Sequence, residues 1–261
     1  MGRMSAQPRM STRTPPPPLA PDAALFLDID GCLIAFADTP DGAHVPGPLR
    51  DALAAVSRRL DGALALVSGR VLDSVDALFA PLRLPVAGEH GLHLRMPGGE
   101  HRVDSQARRD AVFDAVLADA RALVASHPGT VLEDKPLGLA LHWRAAPPAG
   151  AALQAFADAA IARMPAFALQ PGDHVIEFKP RGVGKGDAIA AFMACAPFAG
   201  RVPVFLGDDL TDEHGFAEVN ARGGTSVLVG PRHGSAARHH LADPAAVARW
   251  LADFLATQDP A

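Results

Sequence analysis

The chain is poor in cysteine and in net charge, and it contains no long apolar run. Its two cysteines, Cys32 and Cys195, lie far apart in a sequence of 261 residues. That excludes a disulfide framework and suits a reducing compartment. No apolar stretch approaches the ~18 to 20 residues that a membrane span needs. Residues 1–21 carry positive charges but no apolar centre, so they do not read as a secretory signal. Their Pro15-Pro16-Pro17-Pro18 run predicts an extended, disordered tail. A net charge of -5 argues against a broad nucleic-acid surface. Internal repeats are also lacking. Gly184-Lys185-Gly186 is not a P-loop, because neither Ser nor Thr follows the lysine. What is present is a 49% hydrophobic fraction, enough to exclude global disorder and build a sizeable core. The expectation is a soluble, cytoplasmic protein with no membrane or nucleic-acid partner. A monomer is compatible with the sequence, which leaves oligomeric state open.

The rest of the chain is organised around Leu25-Phe26-Leu27-Asp28-Ile29-Asp30-Gly31. An apolar run without alternation predicts a strand buried on both faces, the mark of a parallel sheet. Such strands deliver their carboxyl ends into the crevice where open α/β sheets bind ligands. Asp28 then stands at a strand tip with Asp30 just beyond. A carboxylate beside a divalent cation can attack phosphorus, and a second can protonate the leaving oxygen and later activate water. Asp and Gly are also ordinary turn residues, so this stretch alone leaves chemistry and a plain turn about equally open.

Ala63 to Val67 predicts a second buried strand, running into Ser68-Gly69-Arg70 and a helix through about Phe79. A hydroxyl and free amides at a helix start can hold phosphate, although on this stretch alone a plain helix cap is the better reading of Ser68. Leu84 to Ala87 predicts a third strand, ending in Gly88-Glu89-His90-Gly91. The pattern then changes. A hairpin around Pro97-Gly98-Gly99, a helix over 106–127, strands over 131–135, 137–144 and 175–179, and a further helix read as an α+β insert. The predicted division is a tail over 1–21, a core over 22–94 and 174–261, and an inserted cap over 95–173, with hinges near Gly98-Gly99 and Pro171-Gly172. The βα pattern resumes at the loop holding Lys185, at the strand Pro203 to Leu206 with its Asp208-Asp209-Leu210-Thr211-Asp212-Glu213 tail, and at Ser226 to Val229. The fold class expected is a doubly wound, Rossmann-like parallel sheet with a cap.

Four acids within six residues repel one another unless a cation sits among them. With Asp28 they make a hard-oxygen site that suits Mg²⁺. Lys185, a compact cation, would hold Asp28 and phosphoryl oxygens. Each signal is weak alone. Their order, each at the end of a buried strand, makes the case.

The ordered set LDIDGCL, LVSGR, GEHG, EDK, LHWR, IEFKPRGVGKG and VFLGDDLTDE resembles the haloacid-dehalogenase-type phosphatases, and more closely the trehalose-6-phosphate phosphatases. The resemblance covers residues from about 24 to 230. It implies Asp28 as nucleophile, Asp30 as acid/base, and Mg²⁺ held by Asp28, the Asp30 carbonyl and Asp208, with Asp212 in or near the shell. It places Ser68, Gly69 and Lys185 at the phosphate. Cys32 departs from the family's usual Thr, which puts the fine positioning of that loop in question.

In the predicted cap, Glu133/Lys135, His142/Arg144 and Glu177/Lys179 pair at spacing two, each on one sheet face. Such a face suits sugar hydroxyls, yet spacing alone favours an ordinary half-solvated sheet. The resemblance implies that Glu133, Lys135, Arg144 and Glu177 contact the sugar, with His90 at the junction of core and cap. The expected activity is hydrolysis of trehalose 6-phosphate to trehalose and phosphate. Another sugar phosphate such as sucrose phosphate, or a non-catalytic sugar-phosphate sensor, stay as alternatives.

Overall fold

The computed structural model describes residues 13–36, 42–103 and 109–257. Two sheets divide them. The larger has eight strands in the order β12-β11-β10-β1-β2-β3-β4-β5. Its centre is β1 (Ala23–Leu27), every residue of which is buried. On one side lie β2 (Leu64–Val67) and β3 (Val86–Gly88), and on the other β10 (Val202–Gly207), β11 (Thr225–Val229) and β12 (His239–Leu241). All of these pair in parallel. Helices α1 (Gly47–Arg59) and α2 (Leu72–Phe79), together with α5 (Lys185–Met193), α6 (Glu213–Ala221) and α7 (Pro244–Ala256), make the crossovers and the closing element.

Strand order reverses at β1. The chain steps one way through β2 and β3, and the other way through β10, β11 and β12. That reversal opens a crevice at the carboxyl ends of β1 and β10, the place where open α/β sheets bind ligands. The expected α/β fold class is therefore present. Its core is aromatic under β1: Phe26 stacks on Phe198 at 5.3 Å, and Phe192 closes on Phe198 at the same distance.

The smaller sheet runs β6-β7-β9-β8, all antiparallel. Its strands are β6 (Val131–Lys135), β7 (Gly138–His142), β8 (Phe167–Gly172) and β9 (Val175–Pro180). Helices α3 (Ala111–Ala125) and α4 (Gly150–Ile161) cover one face, with a separate core of Phe113, Leu117, Leu139, Leu141, Leu153 and Phe178. Asp110 caps α3, its side chain accepting from the Phe113 amide at 2.9 Å.

Several boundaries differ from those expected. The hairpin of β4 (His93–Arg95) and β5 (His101–Val103) pairs onto β3, so residues 95–103 extend the larger sheet and not the cap. Residues 174–180, expected in the core, complete the cap sheet as β9. The suggested hinges shift with them. Gly98-Gly99 sits in a hairpin turn of the larger sheet, and Gly172 pairs with Val175 inside the cap. The links between sheets are residues 104–110, mostly outside the described residues, and 181–184. Neither β8 nor β12 is signalled in the sequence, because β8 contains Pro171 and β12 is only three residues long with no apolar run. His239 and His240 lie in β12 and are half-buried.

Of the expected disordered tail, residues 1–12 lie outside the described residues, while 13–21 are docked. Thr14 pairs with His239 at the sheet edge, the Trp250 indole donates to the Pro17 carbonyl at 2.9 Å, and Leu19 is buried. Proline suits this position. It lacks an amide donor, so it can border a sheet edge without templating another strand.

Candidate active site

The site stands on the crevice at β1 and β10. The Asp28 amide donates to the Leu206 carbonyl at 3.0 Å, extending the β1–β10 ladder by one residue and fixing its carboxylate at the strand tip. The chain then curls back, with Leu33 and Ile34 amides both bonded to the Ile29 carbonyl. Gly31 makes this turn possible: its φ of 79° favours glycine, and a side chain there would strike the Asp208 carboxylate and Phe36. Cys32 is fully buried beside this turn. Burial first, and then the Asp28 charge, push its thiol well above the ordinary range, so it is a neutral packing residue.

One carboxylate oxygen from each of Asp28, Asp208 and Asp212 lies within 4.8 Å of the others. Lys185, at the first position of α5, enters this group from behind. Its ammonium sits 2.6 Å from Asp212 Oδ1 and 3.1 Å from Asp28 Oδ2. Only 2% of Lys185 is exposed. Burial opposes its charge, but Asp212 and Asp28 outweigh that and hold it ionised above the usual lysine range. The other Asp212 oxygen accepts the amides of Asp208 and Asp209, at 2.8 and 2.9 Å, which shapes the turn after β10.

Three carboxylates against one ammonium leave two negative charges in a buried place. Like charges ~4 Å apart repel by ~4 kcal/mol at an effective dielectric of ~20. The strain appears in the carboxyls. Burial, offset by Lys185 and reinforced by Asp212, pushes Asp28 up to about 7. Burial and then Asp28 push Asp208 up to about 9. Asp208 Oδ1 is buried without a hydrogen-bond partner. A divalent cation with oxygen ligands would cancel the excess charge and use that orphaned oxygen, so the donor set fits one.

Asp30 is brought to the same crevice but not into this group. Its carboxylate takes two parallel hydrogen bonds from Arg70, both 2.7 Å long. This pairing keeps the Asp30 carboxylate apart from the three-acid group. Ser68, at the tip of β2, is buried, and its hydroxyl accepts the Arg70 amide at 3.2 Å. Gly69 follows. A Cβ there would come within 2.7 Å of the His90 ring, so glycine lets the β2 loop lie directly against His90.

The polar face of the cap sheet comes down on that loop. Glu133, Ala140, Glu177 and Gln170 stand side by side across β6, β7, β9 and β8, with Lys135 two residues on. The Lys135 ammonium donates to Glu177 at 2.8 Å and reaches the Gly69 carbonyl at 3.4 Å. Glu177 also meets His90 Nε2 at 3.0 Å, and Glu133 meets His142 at 3.1 Å. Burial works against the Glu177 charge, but Lys135 and His90 outweigh it and hold the carboxyl well below its usual range. His90 is pulled down by burial.

Arg144 does not join this cluster. It is exposed, paired with Asp173 at 2.9 Å, and its guanidinium lies 5.9 Å from the ring of Phe36, which follows the Asp28 turn. It thus overhangs the mouth of the crevice. The sequence reading missed three contributors. Arg70 had a position, third after β2, but no role without its partner in view. Glu89 and His93 were invisible because the GEHG turn is unusual: Glu89, His90 and Gly91 take φ values of 49, 58 and 103° in succession. Such a run is strained for non-glycine residues, and strain of this kind gathers at functional sites.

The trehalose-phosphatase family model matches residues 26–247. The trehalose-6-phosphate phosphatase of Escherichia coli is 45% identical over 217 residues, covering 83% of this chain and 81% of that protein. A probable trehalose-phosphate phosphatase of Sinorhizobium fredii is 46% identical over 209 residues, 80% of this chain and 78% of that one. Among solved structures, a trehalose-6-phosphate phosphatase related protein superposes with a TM-score of 0.71 at 25% identity, over 88% of this chain and 95% of its own. The carboxy-terminal domain of the Candida albicans trehalose-6-phosphate phosphatase shares the fold, with a TM-score of 0.76 at 21% identity, over 89% and 92%. The two sheets, the acidic crevice and these relatives agree: the chain is a phosphatase of the trehalose-phosphatase family, in the haloacid-dehalogenase fold.

Proposed function

We propose that this chain hydrolyses trehalose 6-phosphate to trehalose and inorganic phosphate, with Mg²⁺ at Asp28, Asp208, Asp212 and the Asp30 carbonyl. The observation that carries the reading is the junction of Lys135, Glu177 and His90 against Gly69. It sets a hydroxyl-matching face of donors and acceptors directly over the loop that holds phosphate. The relatives at 45 and 46% identity support trehalose 6-phosphate as the particular sugar.

In this mechanism an Asp28 carboxylate oxygen attacks phosphorus as the bond to the sugar oxygen breaks. That oxygen takes a proton from Asp30, leaving trehalose and an aspartyl-phosphate. A water then attacks the phosphorus, Asp30 takes its proton, and the bond to Asp28 breaks to release phosphate. For Asp30 to donate, one of its two hydrogen bonds from Arg70 gives way to the proton, and the other keeps the carboxyl aimed at the sugar oxygen. Lys185 and Ser68 hold the phosphoryl oxygens. Bound Mg²⁺ supplies charge neutralisation that lets one anion approach another. Uncatalysed phosphate-monoester hydrolysis is so slow that the site must supply ~20 kcal/mol or more, which positioning and charge stabilisation carry. Both cysteines are free, which supports a reducing, cytoplasmic setting.

The test is phosphate release from a panel of sugar phosphates, with Mg²⁺ and with chelator. Metal-dependent release favouring trehalose 6-phosphate is expected. A preference for sucrose phosphate would keep the chemistry and overturn the substrate.

A further inference from the structure

Behind the acidic turn after β10 lies a clasp that touches no carboxylate of the cation site. Arg232, from the loop after β11, donates through Nε to the Asp208 carbonyl at 3.0 Å and through Nη2 to the Asp209 carbonyl at 3.2 Å. The same Nη2 pairs with Glu213 Oε1. The second Glu213 oxygen accepts the Ala236 amide at 2.7 Å. The residues on either side of Ala236 are held from the other direction. Arg13 donates to the Ser235 carbonyl at 2.6 Å and to the Ala237 carbonyl at 2.7 Å. One run of hydrogen bonds therefore joins the docked amino-terminal segment to the backbone of Asp208.

We infer that Arg232, steadied through residues 235–237 by Glu213 and Arg13, is a positioning residue for the Asp208–Asp212 turn and thereby sets how tightly that turn binds a divalent cation. The chemistry favours this over a merely packed arginine. A guanidinium so near an acidic cluster would ordinarily pair with its carboxylates and quench them. Here Glu213 takes the charge, so the guanidinium meets that carboxylate and two backbone carbonyls and leaves the Asp208 carboxylate to the cation. Fixing two successive carbonyls sets the direction of the Asp208 side chain, as partners outside a metal's own ligand set do elsewhere. Arg13 then makes the amino-terminal segment part of the cation site's support, although it lies at the β12 edge of the sheet, two strands from β10.

This inference rests on reading Asp28, Asp208 and Asp212 as a cation site, and the experiment separates the two. Mg²⁺ alone is titrated into the full chain by calorimetry for wild type, Arg232→Gln, Arg232→Lys, Arg13→Gln and Asp208→Asn. Thermal midpoints are taken in chelator and in excess Mg²⁺. Arg232→Gln should weaken Mg²⁺ binding by at least about tenfold. Arg13→Gln should weaken it in the same direction by less, and Arg232→Lys, which reaches one carbonyl, should fall between glutamine and wild type. The midpoint in chelator reports structural damage, and the gain on adding Mg²⁺ reports positioning. The gain should shrink in the arginine variants. Wild-type Mg²⁺ affinity in Arg232→Gln and Arg13→Gln, with binding lost in Asp208→Asn, would overturn the clasp and keep the cation site. Unchanged binding in Asp208→Asn would overturn both. If Arg232→Gln does not fold, Arg13→Gln and Arg232→Lys decide.

Discussion

Arg70 and Asp30 face each other across the crevice through two parallel hydrogen bonds, each 2.7 Å. A planar guanidinium matches a carboxylate in a way no lysine does. The pair fixes the direction of Asp30 before chemistry begins. Arg70→Lys keeps the charge and loses the fork. We predict a fall in kcat on the order of 100-fold with a much smaller change in KM, since displacing a reacting group by ~1 Å costs about that much. Steady-state kinetics check it. A KM effect alone would make Arg70 a substrate anchor and not a positioner of Asp30.

The junction of cap and core gives a second prediction. Glu177 is shared by Lys135 of the cap and His90 of the core, at 2.8 and 3.0 Å. Lys135→Ala should raise KM for trehalose 6-phosphate by at least about tenfold, the equivalent of one charged hydrogen bond. It should leave turnover of a small aryl phosphate nearly unchanged, because that substrate never reaches the cap face. Equal losses on both substrates would place Lys135 with the phosphate and not the sugar.

Glu89 makes a pH prediction. Its carboxylate is buried, and no hydrogen bond reaches either oxygen. His93 Nδ1 comes within 2.7 Å of Oε2 but off hydrogen-bonding alignment. Burial, opposed by Lys135 and reinforced by Glu177, pushes Glu89 from its ordinary 4.5 up to about 7. The sign follows from proton counting. Between those two values the folded chain binds the proton and the unfolded chain has lost it, so stability falls as pH rises through that window. Glu89→Gln removes the titration. Denaturant unfolding at pH 5 and pH 8 should show the variant losing less stability over that interval than wild type, by on the order of 1 to 3 kcal/mol. Parallel pH profiles would contradict it.

The sequence made the crevice legible because its parts are local. Asp28, Ser68, Lys185 and Asp208 each follow or open an element whose apolar run marks its place, and parallel strands aim their carboxyl ends the same way. What stayed hidden depends on partners distant in sequence. Nothing in residues 68–70 shows that Arg70 turns back to Asp30, 40 positions earlier. The proline run read as a tail because composition cannot show the Trp250 indole waiting for the Pro17 carbonyl. The cap began and ended later than expected for a similar reason. The hairpin of β4 and β5 has no pattern that says which sheet it joins, and the strand over 175–179, although it patterns with the insert, lies so near the loop of Lys185 that the expected boundary left it in the core.

The central claim is that Asp28 attacks phosphorus. It is tested most directly by phosphate release from trehalose 6-phosphate by folded Asp28→Asn, in saturating Mg²⁺ beside wild type. Asparagine keeps the shape and removes the nucleophile, so we predict a fall of at least ~1,000-fold in turnover, of the kind seen when a covalent nucleophile is removed. Turnover within about tenfold of wild type, a change of only ~1.4 kcal/mol in barrier, would contradict the aspartyl-phosphate route.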